Sequence, residues 1–454
     1  MRVVIVGGGI SGLSAAYALD NTDHEILLLE SSNRLGGKIL TTEVAGSYID
    51  AGPDAFLTRD PEMRELCDSL GLSEELVAPA AQSAKIWVNG SMHALPKRNF
   101  LGVPLDLDEL ENLSIISSEG IAEARSDLHR LGNEPDEEET AGSLIRRRLG
   151  NEVMNNLVGP LLGGINAGDA DALSLESGFP YLFQASRGDP SLIRSIRSFL
   201  EKQNRDPSEP VFLTHPDGMQ RVVDTLATKI SADVKYNEKV TGIRQSGNSW
   251  IVESNEEHET DVIILCTPAF VTSDLISKTC PETSQLLSEI RYASMAFVTF
   301  AFPAEFVPAF DGSGFLVGKD EGTLMTACSW TSSKWGHFSN GNTIFIRVSV
   351  GRFNNGQALQ LKDDDLVKQL RKELEALTGI NVEPSATRVT RWPKSFPQYE
   401  IGHKDRVQKI RSEVLNEAPG VFLAGAAFNG LGLSACIRDG TTQAQEALKF
   451  LEEK

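Results

Sequence analysis

Three glycines spaced as Gly7-x-Gly9-x-x-Gly12 stand between a short β-branched run, Val3-Val4-Ile5-Val6, and a segment from Leu13 to Leu19 with Ala and Leu at helical spacing. A second apolar run, Ile26-Leu27-Leu28-Leu29, ends at Glu30, 18 residues after Gly12. This pattern can hold a dinucleotide: Gly7 permits the tight turn, Gly9 lets backbone approach a pyrophosphate, and Gly12 lets helix and strand pack closely. Gly8, Ile10 and Ser11 complete the turn, and the helix N-terminus that follows favours phosphate charge. Glu30 accepts from ribose hydroxyls, and its charge disfavours a 2′-phosphate.

The residues after Glu30 choose between dinucleotides. Glu30-Ser31-Ser32-Asn33-Arg34-Leu35-Gly36-Gly37-Lys38 puts an arginine and a glycine pair where a plain nicotinamide dehydrogenase needs neither. An extended flavin dinucleotide runs on past the adenosine, so small residues and backbone must line its path, which points to FAD. The other reactive side chains form no constellation. There is no Ser/His/Asp grouping, no metal-ligand set among the seven histidines, and no C-x-x-C among Cys67, Cys266, Cys280, Cys328 and Cys436. His215 opens a helix and His403 follows a glycine, so both read as caps or core hydrogen-bonders. The residues therefore name no catalytic group and no metal site.

The glycine motif followed by E-x-x-x-R-x-G-G resembles the FAD-dependent amine-oxidase-like superfamily. Further motifs stand in chain order: Asp50-Ala51-Gly52-Pro53-Asp54-Ala55-Phe56, Trp87-x-Asn89-Gly90-x-x-His93-x-Leu95-Pro96, Pro160-Leu161-Leu162-Gly163-Gly164-Ile165-Asn166-Ala167-Gly168-Asp169 and Pro397-Gln398-Tyr399-x-x-Gly402-His403. With Gly425-Ala426-x-x-x-Gly430-x-Gly432-x-x-x-Cys436-Ile437 near the end, the chain resembles the protoporphyrinogen/coproporphyrinogen oxidase family of haem biosynthesis. It is most similar to the Gram-positive type, which oxidises coproporphyrinogen III. The pattern departs from the family at Asn166, where an aromatic is usual, and at Ser434-Ala435 before Cys436.

The resemblance implies roles residue by residue. Gly7 to Gly12 hold the pyrophosphate and Glu30-Ser31 the adenosine ribose. Lys38 and the turn Gly52, Pro53, Asp54 and Ala55 follow the flavin, and Val240 meets the adenine. Trp392 lies near the flavin, and Leu431, Gly432 and Leu433 touch the isoalloxazine. The implied reaction takes six electrons from coproporphyrinogen III as three hydride-equivalent pairs, with dioxygen as acceptor and hydrogen peroxide as by-product. The substrate carries four propionates on an apolar ring, so its pocket needs an apolar slot and a few basic groups. Ile165 is the candidate for the slot, and Arg59 and Lys85 for the charge. Protoporphyrinogen IX as substrate, or another flavin oxidase or desaturase chemistry, remains open at this stage.

These residues need elements to position them. The chain is α/β in pattern: a Rossmann-like FAD-binding domain, discontinuous in sequence, with an inserted α+β substrate domain and a mainly helical insertion. The expected division gives 1–75, 211–275 and 411–454 to the FAD-binding domain. It gives 76–210, with a helical insertion at about 100–204, and 276–410 to the substrate part. A helix is expected over 61–70 with Asp60 as N-cap, and a run of short strands between 234 and 265.

The 454 residues carry 43 Lys+Arg against 63 Asp+Glu, a net charge of −20, which excludes a nucleic-acid binder. Residues 106–139 hold 12 acids against Arg125 and Arg130, so half of the net charge sits there, on an expected solvated flank. The basic run Arg146-Arg147-Arg148 reads as a solvated helix face. No signal peptide or membrane-length apolar span is present and the cysteines are scattered, so the expected location is the cytoplasm. Peripheral membrane contact and a haem-pathway enzyme as partner stay open.

Overall fold

The computed structural model describes residues 1–132, 137–203, 209–338 and 341–454. Strand Arg2–Val6 is central in a five-stranded sheet ordered Asp233–Lys235, Glu25–Leu29, Arg2–Val6, Val262–Leu265 and Val421–Leu423. Every neighbouring pair in it is parallel. Successive residues enter opposite cores: Val3, Ile5, Ile26, Leu28, Val262 and Ile264 on one side, Val4, Val6, Leu27, Leu29, Ile263 and Leu265 on the other. A sheet covered on both faces needs this uninterrupted apolar sequence.

Helices Ile10–Ala18, Gln220–Ala227 and Leu433–Glu453 cover the first face. An antiparallel meander (Gly242–Ser246, Ser249–Glu253, Glu257–Thr260) covers the second with helices Ala269–Ile276, Pro281–Ser288 and His403–Glu417. The last two helices, Pro281–Ser288 and His403–Glu417, pack on this core from chain positions on either side of the second sheet's strands.

The second sheet has seven strands, in the order Ala386–Pro397, Tyr292–Pro303, Thr343–Val350, Met325–Ser329, Gly314–Val317, Ala84–Val88 and Ser91–Ala94. It is antiparallel except where Gly314–Val317 meets Ala84–Val88. On one face Val298, Phe300, Phe302 and Ile346 pack against Leu366, Leu370 and Leu374 of helix Asp363–Thr378. Met295, Phe297, Arg347 and Ser349, at the alternate positions, line a cavity on the other face. Strand Ala386–Pro397 has no counterpart in the sequence expectations. It is an edge strand with Pro393, Lys394 at φ +44 and a register shift opposite Ala293/Met295, features an edge tolerates and a central strand does not.

Helices between Leu107 and Lys202 close a separate apolar core. Here two expectations are corrected. Arg148 is not on a solvated face: it is fully buried, 3.7 Å from the equally buried Asp127. Asp127, in the acidic stretch, accepts from Ser191 Oγ (2.7 Å) and from the amides of Leu192 (3.1 Å) and Ile193 (3.0 Å), where helix Leu192–Lys202 begins. Glu139 pairs with Arg147 at 2.9 Å, and Glu138 accepts from Ser174 Oγ and the Gly402 amide, so this end of the stretch is bound rather than free. Residues 133–136 of the stretch, and residue 204 at the end of the expected helical insertion, lie outside the described residues. Asp60 is not the helix cap either; helix Glu62–Ser69 starts after Pro61, and Asp60 accepts from the Tyr181 hydroxyl. Among the described residues no helix is long and apolar enough to cross a membrane.

Removing a buried acceptor leaves its donors unsatisfied. Asp127→Ala takes the acceptor from the Ser191 hydroxyl and the Leu192 and Ile193 amides and should lower unfolding stability by roughly 2–3 kcal/mol, whereas Asp127→Asn, which keeps one acceptor oxygen, should lose less. Denaturant unfolding of the three proteins checks this; equal stability of Asp127→Ala and the parent would refute it.

Candidate active site

A cavity of about 2080 Å³ opens at the carboxyl ends of the parallel strands, between them, the seven-stranded sheet and the helical part. This is where open α/β sheets bind ligands. A single drug-sized ligand occupies roughly 300–1,000 Å³, so the cavity has room for a dinucleotide and a second molecule.

One end is the glycine cradle. A Cβ on Gly12 would stand 1.9 Å from the Gly7 carbonyl oxygen, so strand and helix meet with no room for a side chain. The Gly8 amide donates to Glu30 Oε2 at 2.7 Å, and the Ser32 amide to Glu30 Oε1 at 2.8 Å. These bonds fix the carboxylate on the cavity wall, where its remaining lone pairs can accept from a ribose. Arg34 does not reach the cavity; its guanidinium donates to the carbonyls of Leu35, Gly37 and Ile39 and staples the Gly36-Gly37 loop. Lys38 lines the cavity, and burial lowers its pKa against the raising effect of Cys436. Burial also pushes the Cys436 thiol up to about 11, so it stays protonated at neutral pH.

The turn Gly52-Pro53-Asp54-Ala55 forms the floor. A Cβ on Gly52 would lie 2.0 Å from the Lys38 carbonyl oxygen, a contact only glycine permits. Asp54 sits between Lys334 Nζ (2.8 Å) and Arg347 (3.1 Å) and accepts from Trp335 Nε1 (3.3 Å). Burial alone would raise the Asp54 pKa; the two cations and their hydrogen bonds override it and hold the carboxyl far below the usual range. Arg347 also donates to the carbonyls of Asp50 (2.9 Å) and Gly52 (3.1 Å), and Trp392 Nε1 to that of Ala51 (2.7 Å). At the far side, Tyr399 donates to the Ala426 carbonyl (2.6 Å) and accepts from the Gly430 amide (2.9 Å), which fixes the loop carrying Leu431, Gly432 and Leu433.

Of the residues singled out in sequence, Gly7, Gly9, Ile10, Ser11, Glu30, Ser31, Lys38, Gly52, Pro53, Asp54, Ala55, Trp392, Leu431, Gly432, Leu433, Arg59 and Ile165 line this one cavity. Gly8 and Gly12 lie just behind it, with Gly8 turned to Glu30 and Gly12 to the strand. Val240 is buried in the core beneath the meander and is not among the lining residues, while the nearby amides of Asn237 and Glu238 donate to the carbonyls of Ser32 and Glu30. Lys85 is a correction. Strand alternation puts it on the far face of the second sheet, 5.7 Å above the Trp330 ring and 3.9 Å from Asp311, so it cannot supply charge to the cavity. Arg347, Phe297, Lys319 and Arg352 line the cavity and were missed. For Arg347 the signal was present, a cation inside the apolar strand Thr343–Val350.

The tempting histidines are structural. His215 Nδ1 accepts from the Asp217 amide (3.1 Å), which leaves Nε2–H to donate to Glu75 (2.9 Å). His403 stacks on Tyr399 with ring centroids 4.0 Å apart and donates from Nε2 to the Phe428 carbonyl, while its Nδ1 is buried without a partner. Burial lowers its pKa from 6.5 to about 4. Asp50 is the opposite case: burial raises it from 3.8 to about 6, against hydrogen bonds from Thr41 and the Met219 amide. Among the described residues no cluster of three or more His, Cys, Asp or Glu could hold a metal.

The two groups act in opposite directions on acidification. Stability from neutral His403 is full above pH 6.5 and is lost as pH falls toward 4, because only the unfolded chain takes the proton there. The cost of ionised Asp50 is full above pH 6 and relieved as pH falls toward 3.8. Each effect is on the order of 3 kcal/mol at full extent. Asp50→Asn should therefore melt higher at pH 7 and lose stability more steeply between pH 6.5 and 4.5, whereas His403→Gln should flatten the acid limb. Melting curves across that range check both; an unchanged slope in Asp50→Asn would contradict the assignment.

The profile of the family described as flavin containing amine oxidoreductase matches residues 10–448. The chain is 33% identical over 464 residues to the coproporphyrinogen III oxidase of Bacillus subtilis (strain 168), covering 99% of this chain and 98% of that protein. It is 30% identical to the coproporphyrinogen III oxidase of Staphylococcus aureus, over 99% of each. The crystal structure of a candidate protoporphyrinogen oxidase from Exiguobacterium sp. 255-15 superposes with a TM-score of 0.90 at 29% identity, over 99% of both chains. Reduced UDP-galactopyranose mutase shares the fold alone, at a TM-score of 0.74 and 14% identity. The glycine cradle, the cavity behind it and the match along nearly its whole length agree: the chain belongs to the flavin-containing amine oxidoreductase family and binds FAD.

Proposed function

We infer that the chain oxidises coproporphyrinogen III to coproporphyrin III in haem biosynthesis, with dioxygen as the electron acceptor. The observation that carries this reading is the continuity of the cavity, which runs from the dinucleotide cradle past Trp392 and Leu431 into a chamber with an apolar wall and cationic side chains. The activity named for the Bacillus and Staphylococcus relatives supports the same substrate.

Gly7 to Ser11 and the N-terminus of helix Ile10–Ala18 would hold the FAD pyrophosphate, and Glu30 and Ser31 its ribose. Lys38 and the Gly52–Ala55 turn would follow the chain of the cofactor toward Trp392 and Leu431–Leu433. Bound there, FAD supplies a two-electron acceptor for hydride equivalents, so a six-electron oxidation takes three rounds. The start of helix Leu433–Glu453 opens on the cavity, and its free amides and dipole favour negative charge placed beside it. Ile165, Met295, Phe297 and Phe353 offer apolar surface to the faces of a macrocycle and displace water from it. Arg59 stacks over Tyr181 at 3.6 Å and has no ion-pair partner among the described residues, which suits it to a propionate. Among the described residues no histidine lines the cavity, so the chain contributes binding, orientation and exclusion of water. Five free cysteines fit a reducing, cytoplasmic location.

The test is turnover by purified, FAD-loaded protein under air on coproporphyrinogen III and protoporphyrinogen IX, read by porphyrin fluorescence and peroxide. A higher kcat/KM on coproporphyrinogen III is expected, with peroxide formed in step with electrons removed. Equal or reversed preference would overturn the substrate, and turnover under air without peroxide would overturn the acceptor.

A further inference from the structure

The chamber lining holds Arg146, Lys319 and Arg352 together with Asp169, Asp171 and Asp320, and these cations differ in how they are paired. Arg352 lies just beyond strand Thr343–Val350 and lines the cavity. One of its nitrogens donates to the Val317 carbonyl at 2.6 Å, and among the described residues it has no ion-pair partner; Asp320 and Asp169 act on it only at longer range. A partly desolvated guanidinium without a carboxylate is costly to hold, and a ligand that brings the countercharge removes that cost.

Lys319 lines the same cavity, two residues after Val317, whose carbonyl Arg352 bonds. Its Nζ is 2.6 Å from Asp169, in a pair that is 62% and 34% exposed. Such a solvent-exposed pair is weak, so Lys319 can exchange Asp169 for an incoming carboxylate at little cost. Arg146, the third cation on this side, is already saturated by both oxygens of Asp171 and by Asn151 and Asn155. Arg59 enters from another wall, before helix Glu62–Ser69 and against Tyr181. The chamber therefore has cations on two walls and apolar surface between them.

We propose that Arg352 and Lys319 form a second carboxylate-binding subsite, which takes propionate groups of the macrocycle and makes the site selective for a tetracarboxylate over a dicarboxylate porphyrinogen. The proposal rests on the porphyrinogen reading above and deepens it. A substrate with carboxylates on both sides satisfies both walls, whereas one with apolar groups on one side leaves a partly buried cation unpaired and is rejected on that account.

The experiment uses the FAD-loaded protein and the variants Arg352→Gln, Lys319→Gln and Arg352→Lys. Arg352→Gln should raise KM for coproporphyrinogen III about tenfold, with kcat within about twofold and an unaltered flavin spectrum. Lys319→Gln should raise it severalfold, and Arg352→Lys should restore most of the loss. Binding of coproporphyrin III, followed by quenching of protein fluorescence, should weaken in parallel, while binding of its tetramethyl ester should be the same in parent and variants. Unchanged KM in both Gln variants, or equal weakening toward acid and ester, would overturn the subsite. Should Arg352→Gln lose its flavin, the exposed Lys319 position decides the question by the same criteria. A parent protein that turns over neither porphyrinogen refutes the proposed function instead, and the acid-versus-ester comparison still decides the subsite.

Discussion

The Asp54 carboxylate, clamped between Lys334 and Arg347, is the contact on which the geometry of the cavity depends. It joins the turn Gly52–Ala55 to the seven-stranded sheet. Burial works against its charge, and the two cations with the Trp335 indole keep it ionised. A buried pair of this kind adds little net stability, because desolvation offsets the attraction. Its effect is positional. Arg347 uses its other nitrogen on the carbonyls of Asp50 and Gly52, and Trp392 from the edge strand takes that of Ala51. Three consecutive carbonyls of the turn are thus held by side chains of one sheet, and the Gly52 backbone is pressed onto that of Lys38. The cradle and the chamber cannot shift independently while these bonds stand.

Charge is partitioned along the same division. The whole chain carries −20, which by itself would repel a polycarboxylate. Much of the acid is engaged elsewhere: Asp127 is buried at the start of a helix, Glu138 and Glu139 are bonded, and Asp108 and Glu111 share Arg125. The cavity lining is close to balanced, with seven cations and six acids, and among them Lys38, Arg59 and Arg352 have no ion-pair partner among the described residues. A low-dielectric cleft strengthens such local fields, and salt screens the distant surface charge within about 10 Å. The sum over the chain therefore says little about what the cavity attracts.

The glycine turn and the carboxylate beside it were legible in the sequence because their signals are local. Gly7, Gly9, Gly12 and Glu30 fall within one βαβ unit, so spacing alone determines their relation. The order of the second sheet was not legible, since its seven strands come from residues 84 to 397 and their pairing spans long separations. Lys85 was misplaced for that reason. Its charge is plain in the sequence, but the face it occupies depends on which neighbours, Ile86 or Trp87, turn toward the cavity side. Arg146 to Arg148 failed differently. Three consecutive helical residues point about 100° apart, so they could not share one solvated face. Arg146 meets Asp171, Arg147 meets Glu139 and Arg148 enters the core.

The absence of an imidazole among the residues lining the cavity has a structural counterpart in the segment from Pro397 to His403. Its reactive-looking side chains are spent on backbone. Gln398 donates to the Asn166 carbonyl, Tyr399 bridges Ala426 and Gly430, and His403 holds Phe428 while stacking on Tyr399. Burial keeps His403 neutral and raises Tyr399 well above its ordinary pKa, so neither exchanges a proton near neutral pH. The segment thereby ties the end of helix Gly159–Asn166, beside Ile165, to the loop before helix Leu433–Glu453. Those are two walls of the same cavity. A chemistry supplied by the cofactor needs its partner placed at a fixed distance and kept dry, which tolerates fractions of an ångström. Titratable groups committed to neutral hydrogen bonds meet that demand better than groups free to change charge, because their geometry does not vary with pH.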